Sequence, residues 1–305
     1  MKIIFMGTPD FAVASLDILV QNGYDIAAVV TAPDKPAGRG QKLSESAVKK
    51  YAREKELRIL QPEKLKSPEF IQTLQELKAD LQIVVAFRML PEVVWNMPPK
   101  GTFNLHASLL PQYRGAAPIN WAVMNGEKES GVTTFFLQHE IDTGNILFQK
   151  KVSIGENETA GELHDKLMET GRDLVLKTVQ AIENNTCKEV PQDDLLPGET
   201  LKHAPKIFKE DCRIDWSKSL DEVHDHIRGL SPYPTAFTEF RGLGLKIFKA
   251  SKLYGTPVEA AGTFLSDGKN YFHVALPQGY LQLEEIQLEG KKRMNATEFL
   301  RGFRW

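Results

Sequence analysis

The sequence is poor in cysteine and has no long apolar run. Only Cys187 and Cys212 occur among 305 residues, and neither stands at a spacing typical of metal ligands. Two isolated cysteines indicate neither a disulfide framework nor a zinc site, and a reducing compartment suits such a chain. No stretch approaches the roughly 18 consecutive apolar residues that a membrane-spanning helix needs. We therefore expect a cytoplasmic protein that holds no metal ion and inserts into no membrane.

The amino terminus also lacks the features of a secretory signal and of a dinucleotide-binding turn. The opening MKIIFMGTPDFAVASL has no basic region and is interrupted by Gly7, Pro9 and Asp10, so it predicts a strand followed by a turn. That turn does not contain the three spaced glycines of a dinucleotide fingerprint, and Pro9 removes a backbone donor. Nicotinamide and flavin use are therefore not expected, and no P-loop motif for ATP occurs.

Net charge gives little reason to expect a nucleic-acid partner, because the formal value is only −2. Basic residues do gather in three places: Lys35, Arg39 and Lys42; Lys202, Lys206 and Lys209; and Lys291, Lys292, Arg293, Arg301 and Arg304. On composition alone, each group is more often a solvated face than a set of phosphate contacts.

Short apolar runs alternate with helical patterns through the first half of the chain. The predicted strands are 2–6, 25–31, 58–61, 81–87, 102–106 and 131–137, and the predicted helices are 11–21, 46–55, 68–77 and 118–124. This alternation predicts an α/β fold with a Rossmann-like, mainly parallel sheet, which binds ligands at the carboxyl ends of its strands. A long predicted helix over 162–183 closes this domain.

A change of pattern then divides the chain. Periodicity is lost over 186–208, a segment with several prolines that is typical of a linker. A helix within 215–230, capped by Ser219 or Asp215, precedes predicted strands at 236–240, 245–250, 262–265, 271–276 and 281–287. Short strands with glycine between them predict a small, OB-like β-barrel. We expect a catalytic α/β domain at 1–187, a linker at 188–207 and a β-barrel domain at 208–305.

Polar residues occur at the carboxyl ends of two predicted strands. Asn104 and His106 share one face of strand 102–106, because side chains alternate along a strand. Such a pair alone is more often structural, the histidine being bonded to a backbone carbonyl. Asp142, which follows strand 131–137, changes this balance, since a carboxylate can orient an imidazole that exchanges protons. Asp142-Thr-Gly144 is also the aspartic protease triplet, but that chemistry needs two such carboxylates on a β scaffold.

Motifs along the whole chain resemble the folate-dependent formyltransferase family. They are Gly7-Thr-Pro-Asp-Phe-Ala12, Pro36-Ala-Gly-Arg-Gly40, Asn104-x-His106 with Ser108-Leu-Leu-Pro111 and Arg114-Gly-Ala-Ala-Pro118, Asp142-Thr-Gly144, and Arg213-Ile-Asp-Trp216 with Pro232-x-Pro234. Within the family, the loop at 36–40 and the C-terminal motifs are similar to those of members that act on methionyl-tRNA.

The resemblance implies formyl transfer from 10-formyltetrahydrofolate, a co-substrate and not a tightly bound cofactor, to methionyl initiator tRNA. It implies catalytic positions at Asn104, His106 and Asp142. It implies folate contacts at Phe87, Arg88, Met89, Leu90, Ser108, Leu109, Leu110 and Pro111. The implied tRNA contacts are Lys35, Arg39, Lys42, Lys202, Lys206 and Lys209, helped by the C-terminal domain, with no obligate protein partner.

A departure from the family pattern leaves one role open, since Phe87-Arg88-Met89 stands where Tyr-Gly is common. Arg88 either turns outward or contacts the folate.

For the mechanism, we expect Asn104 and protonated His106 both to donate to the developing oxyanion, with Asp142 orienting His106.

Three alternatives remain at this point. The first is a formyltransferase for a small amine such as glycinamide ribonucleotide or an amino sugar, against which the second domain and the Arg39 loop argue. The second is a folate-binding hydrolase that releases formate. The third is a non-catalytic RNA-binding protein, which would have no use for Asn104, His106 and Asp142.

Overall fold

The computed structural model describes residues 1–37, 42–195, 198 and 200–302. Arg39 and Arg304 lie outside the described residues. The chain divides into two compact units. The first unit comprises Met1–Arg114, Gly131–Val152 and Asp165–His203, and the second unit comprises Gly115–Ser130, Ser153–His164 and Ala204–Trp305.

Strands and helices alternate along the chain as far as residue 183. The strands are β1 (Lys2–Gly7), β2 (Asp25–Val30), β3 (Lys35–Ala37), β4 (Lys42–Ser44), β5 (Ile59–Leu60), β6 (Leu81–Val85), β7 (Thr102–His106), β8 (Arg114–Gly115), β9 (Glu129–Phe136) and β10 (Ile146–Ser153). The helices are α1 (Asp10–Gln21), α2 (Ala47–Glu54), α3 (Pro68–Leu77), α4 (Glu92–Trp95), α5 (Pro118–Met124) and α6 (Ala160–Glu183).

Antiparallel strands dominate the part of the chain from residue 203 onward. These elements are β11 (His203–Ala204), α7 (Leu220–Gly229), β12 (Ala236–Phe240), β13 (Leu243–Tyr254), β14 (Phe264–Ser266), β15 (Phe272–Leu276), β16 (Gly279–Leu288), β17 (Met294–Asn295) and α8 (Ala296–Gly302). Short 3-10 turns occur at Gln192–Asp194 and Glu210–Cys212.

The first unit is built on a seven-stranded sheet in the order β10-β9-β7-β6-β1-β2-β5. The pairs from β5 to β7 are parallel, which confirms the predicted Rossmann-like, mainly parallel sheet. Ile3, Ile4 and Phe5 in β1 are fully buried, as expected for a central strand covered on both faces. The pairing of β7 with β9 is antiparallel. This reversal matters for the site, because the carboxyl ends of β7 and β9 then lie at opposite edges of the sheet.

Local side-chain chemistry explains where several elements begin and end. Ser46 and Ser67 cap α2 and α3, accepting hydrogen bonds from the backbone N–H groups of Lys49 and Phe70. Strand β6 ends at Val85, two residues earlier than predicted, because Ala86 has a left-handed φ of 47°. Strand β10 was not predicted, since after its first two residues its pattern is mostly exposed and polar, as befits a strand at the sheet's end.

The second unit contains an antiparallel sheet in the order β12-β13-β16-β15-β14, with β17 also paired to β16. This arrangement confirms the predicted small β-barrel domain, which takes the form of an open, antiparallel half-barrel. Helix α7 begins at a complete capping box, in which Ser219 and Glu222 bond to each other's backbone N–H, so Ser219 and not Asp215 is the cap. Phe240, Phe264, Phe272 and Phe299 pack against one another in the core.

No described helix is both long and apolar enough to cross a membrane.

Candidate active site

Asn104 and His106 occupy the carboxyl end of β7, near the middle of the sheet. The backbone of Asn104 pairs with Val84 on one side and with Phe135 on the other. Its side chain is half-buried, and among the described residues no group forms a hydrogen bond with the side-chain amide. An amide group held at a strand end with its hydrogens unused is available to a ligand.

The imidazole of His106 is held between two backbone segments. The side chain is only 7% exposed, Nε2 lies 2.9 Å from the carbonyl oxygen of Tyr113, and Nδ1 lies 3.8 Å from Oδ2 of Asp142. Because a carbonyl oxygen only accepts hydrogen bonds, Nε2 carries the hydrogen in this contact. The proton that His106 can exchange is therefore the one on Nδ1, facing Asp142.

This geometry corrects one step of the mechanism expected from the sequence. The Nε2 hydrogen of His106 is donated to Tyr113, so it does not add a second donor to an oxyanion in this arrangement. The pairing of His106 with Asp142, in contrast, is present at 3.8 Å, an ion-pair distance that is longer than a hydrogen bond.

Asp142 reaches His106 by a route that the sequence did not predict. Because β9 runs antiparallel to β7, the carboxyl end of β9 lies at the opposite edge of the sheet from His106. The turn after β9 instead folds back toward His106, and Asp142 takes a left-handed φ of 56° within it. At Gly144 a Cβ atom would lie 1.6 Å from the carbonyl oxygen of Phe136, so this turn requires glycine there.

Gln192 holds this turn, although no sequence signal pointed to it. Its Nε2 donates to the carbonyl oxygens of Asp142 and Gly144, both at 2.8 Å. Its Oε1 accepts from Nε and Nη2 of Arg114 at 3.0 and 2.6 Å. Gln192 lies in the aperiodic segment predicted to be a linker, where a glutamine next to a proline looks like any surface residue.

The predicted folate segment Ser108–Pro111 lies mostly in the interior of the first unit. The Ser108 hydroxyl donates to the carbonyl oxygen of Gln112, and Leu110 is 2% exposed in a cluster with Phe135 and Ile146. Thr133 Oγ1 donates to the Ser108 carbonyl and accepts from the Leu110 N–H. Leu109 is half-buried and Pro111 is buried. Folate contact by this segment stays a prediction.

The second predicted folate segment, Phe87–Leu90, forms a loop after β6. Arg88 donates to the carbonyl oxygens of Pro62 and Glu63 and lies over the Phe87 ring. The open question about Arg88 is thereby answered for this structure, since its guanidinium turns to these carbonyls. Burial lowers the pKa of the Arg88 guanidinium. Met89 is 73% exposed, whereas Leu90 is buried.

A cavity of about 580 Å³ lies beside the Asp142 turn, within the usual range of small-molecule sites. Trp95, Arg114, Thr143 and Gln192 are among the residues that line it. Among the described residues, no group of three or more His, Cys, Asp or Glu side chains is placed to hold a metal ion.

The described residues among the predicted tRNA contacts are divided between the two units. Lys35 is exposed in β3 and Lys42 lies in β4. Lys202 is exposed in the first unit, whereas Lys206 and Lys209 are exposed in the second. Contact of these residues with tRNA stays a prediction.

Family models match nearly the whole chain. The model described as formyl transferase matches residues 1–179, and the one described as formyl transferase, C-terminal domain, matches residues 206–304. The chain belongs to the formyl transferase family.

Individual members of this family are similar to the chain over nearly its whole length. Methionyl-tRNA formyltransferase of Bacteroides thetaiotaomicron is 57% identical over 309 residues, covering 100% of this chain and 96% of that protein. Methionyl-tRNA formyltransferase of Phocaeicola vulgatus is also 57% identical, over 311 residues, with the same coverage. Among solved structures, the sugar 3N-formyl transferase WlaRD, crystallised with dTDP and 5-N-formyl-THF, has a TM-score of 0.69 at 23% identity, covering 96% of this chain and 99% of that one. At that identity the likeness shows the fold alone.

Proposed function

We propose that this protein transfers the formyl group of 10-formyltetrahydrofolate to the α-amine of methionyl initiator tRNA, giving N-formylmethionyl-tRNA for translation initiation. The observation that carries the proposal is the side-chain amide of Asn104 in β7, which has no partner within the described part of the chain and lies two residues from His106, the neighbour of Asp142. The two relatives aligned over 96% of their length act on methionyl-tRNA by name.

The chemistry needs no nucleophile from the protein. The amine nitrogen attacks the formyl carbon, an oxyanion develops, and the bond from the formyl carbon to the folate nitrogen then breaks. Asn104 donates to the oxyanion, a contribution whose loss typically costs about 3–4 kcal/mol of barrier. His106, exchanging a proton at Nδ1 beside Asp142, takes the proton that the amine loses and returns it to the departing folate nitrogen.

The remaining assignments belong to the same proposal. Folate binds as a co-substrate and leaves after each turnover, against the loop 87–90 and above the interior segment 108–111. The domains are a catalytic one at 1–187, a connector at 188–207 and a tRNA-binding one at 208–305. Lys35, Arg39, Lys42, Lys202, Lys206 and Lys209 contact tRNA phosphates. The protein acts in the cytoplasm without an obligate protein partner.

The test is mass analysis of the acceptor after incubation with 10-formyltetrahydrofolate. Methionyl initiator tRNA should gain one formyl group, and a His106→Ala variant should give no product. Parallel reactions would contain methionyl elongator tRNA, a dTDP-amino sugar, glycinamide ribonucleotide or no acceptor. Preferred formylation of a small amine, or release of formate at the same rate without any acceptor, would refute the proposal.

A further inference from the structure

The ring of His106 depends on two segments that are far apart in sequence. One segment supplies the Tyr113 carbonyl oxygen to Nε2, and the other supplies the Asp142 carboxylate to Nδ1. The position of the exchangeable proton therefore requires a fixed distance between these segments. Neither segment is part of β7 itself, so the sheet alone does not set that distance.

Gln192 joins the two segments with a single side chain. Its amide nitrogen donates to the carbonyl oxygens of Asp142 and Gly144, and its amide oxygen accepts two hydrogen bonds from Arg114, the neighbour of Tyr113. The side chain thereby uses both donor hydrogens and both acceptor positions, and the residue is 3% exposed. A carboxylate cannot make the two donated bonds, and an apolar side chain can make none of the four.

The tip of the turn that carries Asp142 is largely exposed. Ile141 is 58% exposed, and the side chain of His139, which contacts Glu92 and the Trp95 ring, is 75% exposed. The segment that contains Tyr113 also forms hydrogen bonds with the chain beyond Gln192. There the carbonyl oxygen of Lys202 accepts from the N–H of Tyr113 at 2.6 Å, and the N–H of Lys202 donates to Oε1 of Gln112 at 2.7 Å.

We propose that Gln192 is a positioning residue for formyl transfer, which sets the Asp142 carboxylate against Nδ1 of His106 by tying the Asp142–Gly144 turn to Arg114. The inference rests on the proposed function for the reaction itself. It assigns a catalytic purpose to a segment that lies between the two matched family ranges, 1–179 and 206–304. Gln192 touches no reacting atom, so its effect on the reaction passes through Asp142.

The experiment compares Gln192→Glu and Gln192→Leu with the wild type and with Gln75→Glu, a control that adds the same charge on an exposed helical position. Gln192→Glu keeps an acceptor for Arg114 but sets a carboxylate against two carbonyl oxygens, whereas Gln192→Leu removes all four bonds. We expect kcat to fall about ten- to a hundredfold in both variants, the scale of a small misplacement of a catalytic group. KM for the folate should change by less than about threefold, because neither substitution alters the contacts that bind the folate before the reaction.

Two further readouts separate positioning from a structural role. The pH profile of kcat should change shape in both Gln192 variants, because the partner of Nδ1 moves. In an Asp142→Asn background, Gln192→Leu should cause no further loss of kcat, since residues that act as one unit are non-additive. Melting temperature and folate binding report whether each variant is folded, and kcat is taken per folded molecule.

Each outcome decides a different claim. If the wild type does not formylate methionyl-tRNA, the proposed function fails. If the wild type is active and both Gln192 variants keep kcat per folded molecule within about twofold, only the positioning role is overturned. An unchanged pH profile, or a further tenfold loss in the Asp142→Asn background, also overturns it.

Discussion

One polar side chain in each unit illustrates two opposite uses of a polar group. In the first unit, the side-chain amide of Asn104 in the central sheet is half-buried and has no partner among the described residues. In the second unit, a buried guanidinium is bonded to other parts of that unit. Arg228, 3% exposed, donates to Asp225 at 2.6 Å and to the carbonyl oxygen of Glu158 at 2.8 Å, which fastens α7 to the turn at 155–158.

Their cores differ as well. Both cores are largely aliphatic, but the core of the second unit also contains a connected cluster of phenylalanines, Phe240, Phe264, Phe272 and Phe299. Substitutions at the site of the first unit should therefore affect turnover more than stability, and substitutions in the aromatic core of the second unit should do the reverse.

The largest expected effect is on turnover in the first unit. Asn104→Ala should lower kcat by about a hundred- to a thousandfold, because one oxyanion donor is lost. The melting temperature should hardly change, since none of the residues that the structure describes bonds to this amide. Steady-state kinetics and thermal unfolding check both, with the exposed Asn184→Ala as the matched control. If the Asn104→Ala variant retained more than about a tenth of wild-type kcat, Asn104 would not be an oxyanion donor.

The converse prediction concerns the core of the second unit. Phe272 is fully buried and stacks on Phe299 with ring centroids 5.5 Å apart. Phe272→Ala should lower the free energy of unfolding by about 3–5 kcal/mol through lost burial and a cavity. Urea unfolding measures this loss, and the partly exposed Tyr271→Ala serves as control. The proposed difference between the units would be contradicted if Phe272→Ala lowered kcat per folded molecule as far as Asn104→Ala does.

A smaller effect is expected for tRNA binding. Lys206 and Lys209 are exposed in the second unit, and removing both should weaken the salt dependence of KM for methionyl-tRNA. Each lost phosphate contact should reduce the slope of log affinity against log salt by about 1. KM is measured across a salt series, with exposed Lys50→Ala as control. An unchanged slope would show that these lysines form a solvated face.

The smallest effect is a pH dependence of stability in the second unit. Burial lowers the pKa of His226 below its ordinary 6.5, and a backbone hydrogen bond at Cys212 and the charge of Asp211 only partly oppose this. As pH falls below 6.5, the unfolded chain therefore takes up a proton before the folded one does, and the free energy of unfolding decreases. The loss should be a few tenths of a kcal/mol to about 1 kcal/mol.

His226→Gln should reduce this dependence and leave the contribution of His273, whose pKa burial also lowers. Urea unfolding at pH 7.5 and at pH 5.5 would measure the difference for both proteins. If the wild type loses no more stability than the variant on acidification, burial of His226 is not coupled to proton uptake.

Much of the fold followed from local patterns, and the exceptions have physical causes. Ser219, one of the two predicted caps, begins helix α7 because its side chain accepts from the backbone N–H three residues further along the chain. Strand β10 and helix α8 escaped prediction. The first is largely exposed beyond its start, and the second is a short helix of seven residues, which leaves little periodicity to detect.

For the candidate site, the amino-acid sequence alone selected Asn104, His106 and Asp142 as candidates, from alternation along β7, a polar turn after β9 and the resemblance to a known family. The direction of β9, the nitrogen of His106 that faces Asp142 and the part played by Gln192 were decided only in three dimensions. The reason is distance along the chain. Gln192 is 78 residues from Arg114 and 50 from Asp142, and no local pattern encodes a hydrogen bond between segments so far apart.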